Sequence, residues 1–333
     1  MPKLTRREFI PLAVAGSVSL CHDAQAVQPR SSAMLTPIID THQHLWDLTK
    51  ISPPWLKNAS EKISASHTME DYKQAIEGLN IVQAVYMEVD VAPEQMQKEA
   101  ELVRKLIQDK AGPTTAAVVS ADPVSPDFQK LVGPWSQWPE IRGIRRVLHG
   151  GTPAGHCLRP EFVRSMQYLG EVGLSFDLCM RAGELKDGAE LAKKCPETRF
   201  IVDHLGNGDP KAFLPAGDPR HAKAEHKPKV WQEGIRALAD QANTICKISG
   251  IAARVPKDWT PDELRPVIHE CIKRFGPDRI VFGSDWPVCK LGASLKEWVT
   301  ALRTILEDFP EETRDKLLYA NAQRLYRLEP VGG

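Results

Sequence analysis

Ile38-Ile39-Asp40-Thr41-His42-Gln43-His44-Leu45-Trp46-Asp47 is the stretch from which the fold can be read. An apolar pair runs into an acid and then into two histidines one residue apart. Successive side chains of a β-strand point to opposite faces, so His42 and His44 share one face at the strand's end. Imidazole is the commonest metal ligand and a frequent general acid or base. A bare His-x-His pair also arises by chance, as two half-buried histidines that hold a loop. What decides between these readings is whether later strands end in matching chemistry.

Outward from that stretch, strand-like runs recur with helical segments between them. After 38–45 the runs are 81–89, 114–120, 141–148, 174–180, 199–205, 244–249 and 279–284. Residues 68–79 read as a helix, with Thr68 and Asp71 spaced as a capping box. Further helical segments are 93–109, 184–194, 230–241, 262–275 and 295–307, and a last one covers 311–325. Eight strands alternating with helices over residues 38–328 predict a single-domain (β/α)8 TIM barrel. An open doubly wound sheet would carry a glycine-rich turn after its first strand, where this chain has His44-Leu45-Trp46-Asp47.

A barrel of this kind does its chemistry at the C-terminal ends of its strands. Strand one ends in His42 and His44, and strand two places Glu88 near the rim. Strand four carries Arg145, with His149 beyond it, strand five Asp177, and strand six Asp203 and His204. Strand seven holds Lys247 and Ser249, and strand eight ends in Gly283-Ser284-Asp285-Trp286-Pro287. Ionisable residues at nearly every strand end are the mark of a reactive centre. An arbitrary soluble chain would place apolar residues and turn formers there.

The remaining sequence sets bounds. With 43 basic and 43 acidic residues the chain is formally neutral and has no basic stripe, which excludes nucleic acid as a partner and leaves a small-molecule substrate. Thr5-Arg6-Arg7-Glu8-Phe9-Ile10, the apolar run 11–20 and Ala24-Gln25-Ala26 form a twin-arginine export signal with an A-x-A cleavage site, over 1–26. Ten apolar residues fall short of the roughly 20 that span a bilayer, so cleavage is expected to release a periplasmic protein with no membrane anchor. Residues 27–37 then form a linker and 329–333 a tail. Six cysteines beyond Cys21 are scattered with no C-x-x-C pair, and most sit in or beside apolar runs as small hydrophobes. The segment 207–229 is longer than a typical connection and is a candidate lid or specificity loop.

With His42, His44, His204 and Asp285 in order, the chain resembles the amidohydrolase superfamily. More narrowly it resembles the amidohydrolase-related branch that contains sugar-lactone and pyrone-dicarboxylate lactonases. The matching stretches are 40–47, Gly143-Ile144-Arg145, Asp203-His204-Leu205-Gly206, Lys247-Ile248-Ser249-Gly250, Phe282-Gly283-Ser284-Asp285-Trp286-Pro287-Val288 and Asn321-Ala322-Gln323-Arg324-Leu325-Tyr326. The resemblance implies hydrolysis by water, with Asp285 on strand eight as the base. It implies a metal set of His42, His44 and Asp285, with Glu88 or His149 as a fourth ligand. The chain departs from metal-rich members in having no lysine on strand four and no histidine on strand five. Two outcomes follow, one bound divalent ion (zinc or manganese) or catalysis without metal.

The reading of function is lactone ring-opening on a sugar or carboxylated lactone. Asp285 is ionised at neutral pH and can accept water's proton. His204, with His42 and His44, stabilises the oxyanion directly or through a metal. Arg145 and Lys247 hold a carboxylate or hydroxyl of the substrate, with ion pairs to neighbouring strands as their structural alternative and Asp177 as the partner for Arg145. His149 joins the substrate side, and Trp46 and Trp286 offer ring faces to it. Two rivals stand beside this reading, a metal-dependent decarboxylase of the same superfamily and a periplasmic binding barrel without catalysis.

Overall fold

The computed structural model describes residues 35–256 and 258–330. The expected export signal lies outside the described residues, as do residues 27–34 of the linker and 331–333 of the tail. Eight parallel strands stand in sequence order: β1 (Ile38–Gln43), β2 (Ile81–Met87), β3 (Thr114–Ser120), β4 (Ile141–Leu148), β5 (Ser175–Met180), β6 (Phe200–Val202), β7 (Thr244–Ile248) and β8 (Ile280–Phe282). A helix follows each on the outside, and together they make the expected (β/α)8 barrel. The strands read as nearly continuous apolar runs because both faces of a parallel barrel are covered.

The outer helices form where apolar residues recur at three- and four-residue spacing. In Leu295–Leu306 the buried set is Leu295, Trp298, Val299, Ala301, Leu302, Ile305 and Leu306, which is one face of a helix. Its start is a capping box, in which Ser294 N and Oγ both donate to the Glu297 carboxylate and Glu297 N donates to Ser294 Oγ. The expected Thr68/Asp71 box opens Met69–Ala75 in the same way, with Thr68 N and Oγ1 each 2.8 Å from Asp71 Oδ2. That helix stops earlier than its sequence pattern suggests. The last segment is likewise not one helix, because a π-helical turn (Lys316–Ala320) separates Glu311–Asp315 from Asn321–Tyr326.

Inside the barrel, Ile39, Val85, Met87, Ala116, Val118, Ile201, Ile245 and Val281 fill the lower interior. Ala322, Leu325 and Tyr326 of the C-terminal helix close it from below. The carbonyls at that helix's end are met by arginines from the strand entrances. Arg142 Nε donates to Tyr326 O (2.7 Å) and Arg199 Nη1 to Leu325 O (2.6 Å). Cations there also complement the negative end of the helix dipole. The polar layer is built on top of this plug.

The barrel closes between β1 and β8 through a seam of mixed bonds. Thr41 Oγ1 donates to Phe282 O (2.6 Å), Ser284 N to Asp40 Oδ1 (2.7 Å), Asp285 N to His42 O (2.9 Å), and His44 N to Trp286 O (2.8 Å). The β1–β2 register shifts between Asp40 and Gln43. Strict alternation from the inward Ile39 would turn His42 outward, and this irregularity brings it into the barrel. β6 and β8 are only three residues long, shorter than the sequence pattern predicts, because the chain leaves the strand where the site begins.

Tyr326 is buried at the barrel's floor, so truncating it opens a cavity that rigid strands cannot fill. Tyr326→Ala should cost about 3–5 kcal/mol, the range for large aromatic truncations, read as a lower urea midpoint at unchanged slope.

Candidate active site

Three side chains from the seam meet above the plug. The Nε2 atoms of His42 and His44 lie 3.2 Å apart. Asp285 Oδ1 is 3.4 Å from His44 Nε2 and 3.7 Å from His42 Nε2, and it makes no hydrogen bond. Two imidazole lone pairs repel at such a distance unless a proton or a cation lies between them. Ligands bound to one ion at about 2.0–2.2 Å in tetrahedral geometry stand about 3.3–3.6 Å from one another, which matches this triangle. The tautomers agree, since His44 Nδ1 lies 3.0 Å from Met87 O and donates to it, leaving Nε2 as a lone pair. The donor set therefore fits a divalent ion.

His42 is oriented from behind. Its Nδ1 lies 3.4 Å from Asp203 Oδ1, a carboxylate–histidine arrangement that fixes ring and tautomer around a metal. Burial lowers the pKa of His42 well below the ordinary imidazole value, and Lys247 and His204 add to the effect against the pull of Asp203. Burial works against the charge of Asp203 as well. Lys247 and His42 outweigh it and hold the carboxyl well below its usual range.

Lys247 and Arg145 are spent within this layer. Lys247 is fully buried, with Nζ 2.6 Å from Asp177 Oδ2, 3.0 Å from Asp203 Oδ1 and 3.3 Å from His42 Nδ1. Arg145 donates from Nε to Glu88 Oε1 (2.5 Å) and from Nη2 to Glu88 O (2.7 Å), and Nη1 lies 3.3 Å from His42 Nε2 and 3.5 Å from Asp203. These contacts correct the expectation that both reach for substrate. Strand register does align Arg145 with Asp177, but the long guanidinium crosses to β2 and Lys247 takes Asp177. Glu88 is correspondingly not part of the metal triangle, being held by Arg145 and by Asp90 N (2.6 Å). Glu88, Asp177, Asp203 and Asp285 are buried beside two buried cations, and burial lifts the Asp177 carboxyl to about 7 against the pull of Lys247. A cation at the triangle would offset surplus negative charge, which is expensive to bury unpaired.

His204 opens a left-handed turn. His204, Leu205, Gly206 and Asn207 have φ of 55°, 52°, 62° and 54°, a conformation that costs roughly 1–2 kcal/mol per residue other than glycine. A Cβ on Gly250 (φ +67°) would lie 2.3 Å from His204 Nδ1, so only glycine fits beside the ring. His204 N donates to Ser249 Oγ (3.3 Å), which leaves the serine hydroxyl hydrogen for His204 Nδ1 (3.0 Å). On that assignment Nε2 carries the ring proton and is a donor. Asp285 also adopts positive φ, 56°.

The remaining expected residues divide. His149 lies in the mouth and lines a cavity of about 600 Å³ with residues from the loops after β5, β6 and β7. Trp286 is buried against His67 and Tyr72. Trp46 packs on Trp55 and His67, donates to Ala65 O (2.7 Å), and lines a mostly apolar flank cavity of about 410 Å³ that contains none of the reactive groups. Both tryptophans are engaged in packing, Trp286 against Tyr72 of helix Met69–Ala75 and Trp46 against Trp55 and His67 of the segment before it. The segment 207–229 is tied to its surroundings, with Asn207 Nδ2 donating to Met180 O (2.7 Å), Lys211 Nζ to Arg254 O (3.1 Å) and Arg220 Nη2 to Glu263 Oε1 (2.8 Å).

Asp203, Asp40 and Ser249 are residues whose work was not assigned from sequence, and Asp177 was paired there with Arg145 rather than Lys247. Asp203 had a legible signal, since it shares the inward face of β6 with Ile201. Asp40, which joins β1, β8 and Tyr72 (OH to Oδ2, 2.7 Å), had none beyond its place in the motif.

The family model described as Amidohydrolase matches residues 39–328, so the chain belongs to the amidohydrolase family and is an enzyme of that superfamily. It is 29% identical over 307 residues to the uncharacterized protein y4mH of Sinorhizobium fredii, covering 87% of this chain and 98% of that protein. It is 26% identical over 307 residues to the L-fucono-1,5-lactonase of Burkholderia multivorans, covering 88% and 97%. Among solved structures, an amidohydrolase from Burkholderia multivorans with bound zinc has the same fold, at a TM-score of 0.73 and 22% identity, over 88% of this chain and all of that one (100%).

Beside Glu88 lies Glu99, whose Oε1 accepts from Tyr86 OH (3.0 Å) and Val89 N (2.8 Å) while Oε2 has no partner. Burial and the neighbouring Glu88 raise its pKa from 4.5 to about 8. Between those values the native state keeps a proton that the unfolded chain releases, so this group's contribution to stability falls as pH rises through that window. Glu99→Gln should lose that slope. Urea midpoints at pH 5 and pH 8 test it, and a wild-type slope retained in the variant would contradict the assignment.

Proposed function

We propose that this chain is a metal-dependent hydrolase that opens lactone rings with water. The observation that carries the reading is the His42–His44–Asp285 triangle, whose edges suit the ligands of a single ion while Asp285 Oδ1 is left without a hydrogen bond. The likeness to a lactonase along the length of both chains supports the substrate class. Zinc is the ion favoured by two imidazoles and a carboxylate in near-tetrahedral spacing, and the zinc-bound structural relative agrees with it. Bound there, such an ion polarises an ester carbonyl and makes water more acidic.

The chain's own groups supply the rest. Asp285 takes the proton of the attacking water as the ring carbonyl becomes tetrahedral, and returns it to the ring oxygen as the ring C–O bond breaks to give the hydroxy acid. His204 Nε2–H donates to the developing oxyanion, a contribution worth roughly 3–4 kcal/mol for a well-placed donor. Ser249 holds that tautomer, and the strained turn holds the ring. Asp203 keeps His42 in place, Lys247 keeps Asp203 ionised, and Arg145 holds Glu88 in position. No serine or cysteine stands in a nucleophile elbow, so the attacking oxygen is water's own. The twin-arginine signal in residues 1–26 supports a periplasmic site of action, reached by a chain that has folded first.

Asp285→Asn should lower kcat on a panel of aldonolactones by about 10²–10⁴-fold, the usual worth of a general base, with an unchanged circular dichroism spectrum. Full turnover in the variant would contradict the role of Asp285. Loss of CO2 from carboxylated phenols, with no lactone opened, would move the chain to the decarboxylases. Tight ligand binding with no turnover by wild type would make it a binding barrel.

A further inference from the structure

The mouth above the reactive centre is rich in charge, yet its charges are already matched. Loops after β4 to β7 enclose the cavity of about 600 Å³, lined by His149, which lies within electrostatic reach of His204, and by Asn207 of the turn that His204 opens. Its two arginines are both engaged. Arg181 Nη1 lies 3.0 and 2.9 Å from the two Glu184 oxygens, and Nη2 donates to Gly150 O (2.7 Å) and Thr152 O (2.8 Å). Arg254 pairs with Glu225 through Nη1 and donates from Nη2 to Asn207 Oδ1 (2.9 Å). On the other side of the β4 loop a lobe of about 370 Å³ repeats the pattern, with Arg146 3.1 Å from Asp90. Asp122, which accepts from Val124 N (3.2 Å), adds a further acid to that lobe.

Each arginine of the mouth thus has a carboxylate of its own, and acids outnumber arginines. His149 and His226 do not alter the balance at neutral pH, since enclosure holds both below the usual imidazole range. A substrate carboxylate entering here would have to displace an existing partner of an arginine. Hydroxyls meet no such cost, because they donate to the carboxylates and accept from guanidinium N–H groups without changing the charge. A fork already bound to Glu184 or Glu225 is not available for bidentate capture of a second carboxylate.

We propose that the Arg181–Glu184 and Arg254–Glu225 pairs are specificity-determining, selecting a neutral polyhydroxylated lactone and rejecting lactones that carry a carboxylate. The inference rests on the lactonase reading and narrows it.

The test is a matched pair, a hexono-1,4-lactone and the hexaro-1,4-lactone that differs by a carboxylate in place of the terminal CH2OH. Wild-type kcat/KM is expected to favour the neutral ring by about ten-fold or more. Glu225→Gln and Glu184→Gln each free an arginine, and each should narrow that ratio by about five-fold, the effect of one unit charge near 4 Å in water. Two variants guard against misfolding of one, and an unchanged circular dichroism spectrum reports that each has folded. Equal or greater activity on the carboxylated ring, or a ratio unmoved in both variants, would overturn the charge-matching inference while leaving the lactonase reading intact. Failure on both rings by wild type would overturn the lactonase reading and the inference with it.

Discussion

The closure of β1 on β8 is the constraint on which the rest depends. Eight parallel strands can pair in order and still leave an open edge, and here that edge is joined by side chains as much as by backbone. Asp40 accepts from Ser284 N, His42 N and Tyr72 OH, and Thr41 donates to Phe282 O. A buried carboxylate with three donors is a fixed point, costly to disturb because each donor would be left unsatisfied. Its position sets the β1 irregularity that turns His42 inward and the spacing at which Asp285 meets both histidines.

Above the seam the interior is governed by charge balance. Arg145 and Lys247 are so thoroughly paired that they act as structural counter-ions, fixing Glu88, Asp177 and Asp203 around His42. That arrangement leaves Asp285 Oδ1 without a hydrogen bond beside the His42 and His44 Nε2 atoms, which lie 3.2 Å apart, with Arg145 Nη1 3.3 Å from that of His42. Strain is placed beside them, since both Asp285 and the turn from His204 to Asn207 occupy left-handed backbone. Such conformations persist where surrounding packing over-determines them, and they cluster at reactive sites.

The barrel was legible in the sequence because its strands are apolar on both faces and its helices carry clean three- and four-residue spacing. β3 and β4 match the sequence pattern residue for residue. The placing of His42, His44, His204 and Asp285 together at one end of the barrel was legible, since strand ends can be found from the pattern alone. Partnership was not. Whether Arg145 reaches Asp177 or Glu88 depends on side-chain length across a curved barrel, and whether Trp46 and Trp286 face substrate depends on how their loops fold back. The shortness of β6 and β8 was equally hidden, because Asp203-His204 and Ser284-Asp285 follow apolar runs and only the left-handed turns end them.

The most direct test of the central claim is the metal content of the purified protein, wild type against His44→Ala, paired with thermal unfolding before and after chelation. About one divalent ion per chain in wild type is predicted, lost in the variant. Chelation should lower the wild-type midpoint and leave the variant's unmoved, because an ion that binds only the folded state stabilises it. A wild-type chain that holds no ion after incubation with zinc or manganese, and whose midpoint chelation leaves in place, would contradict the account.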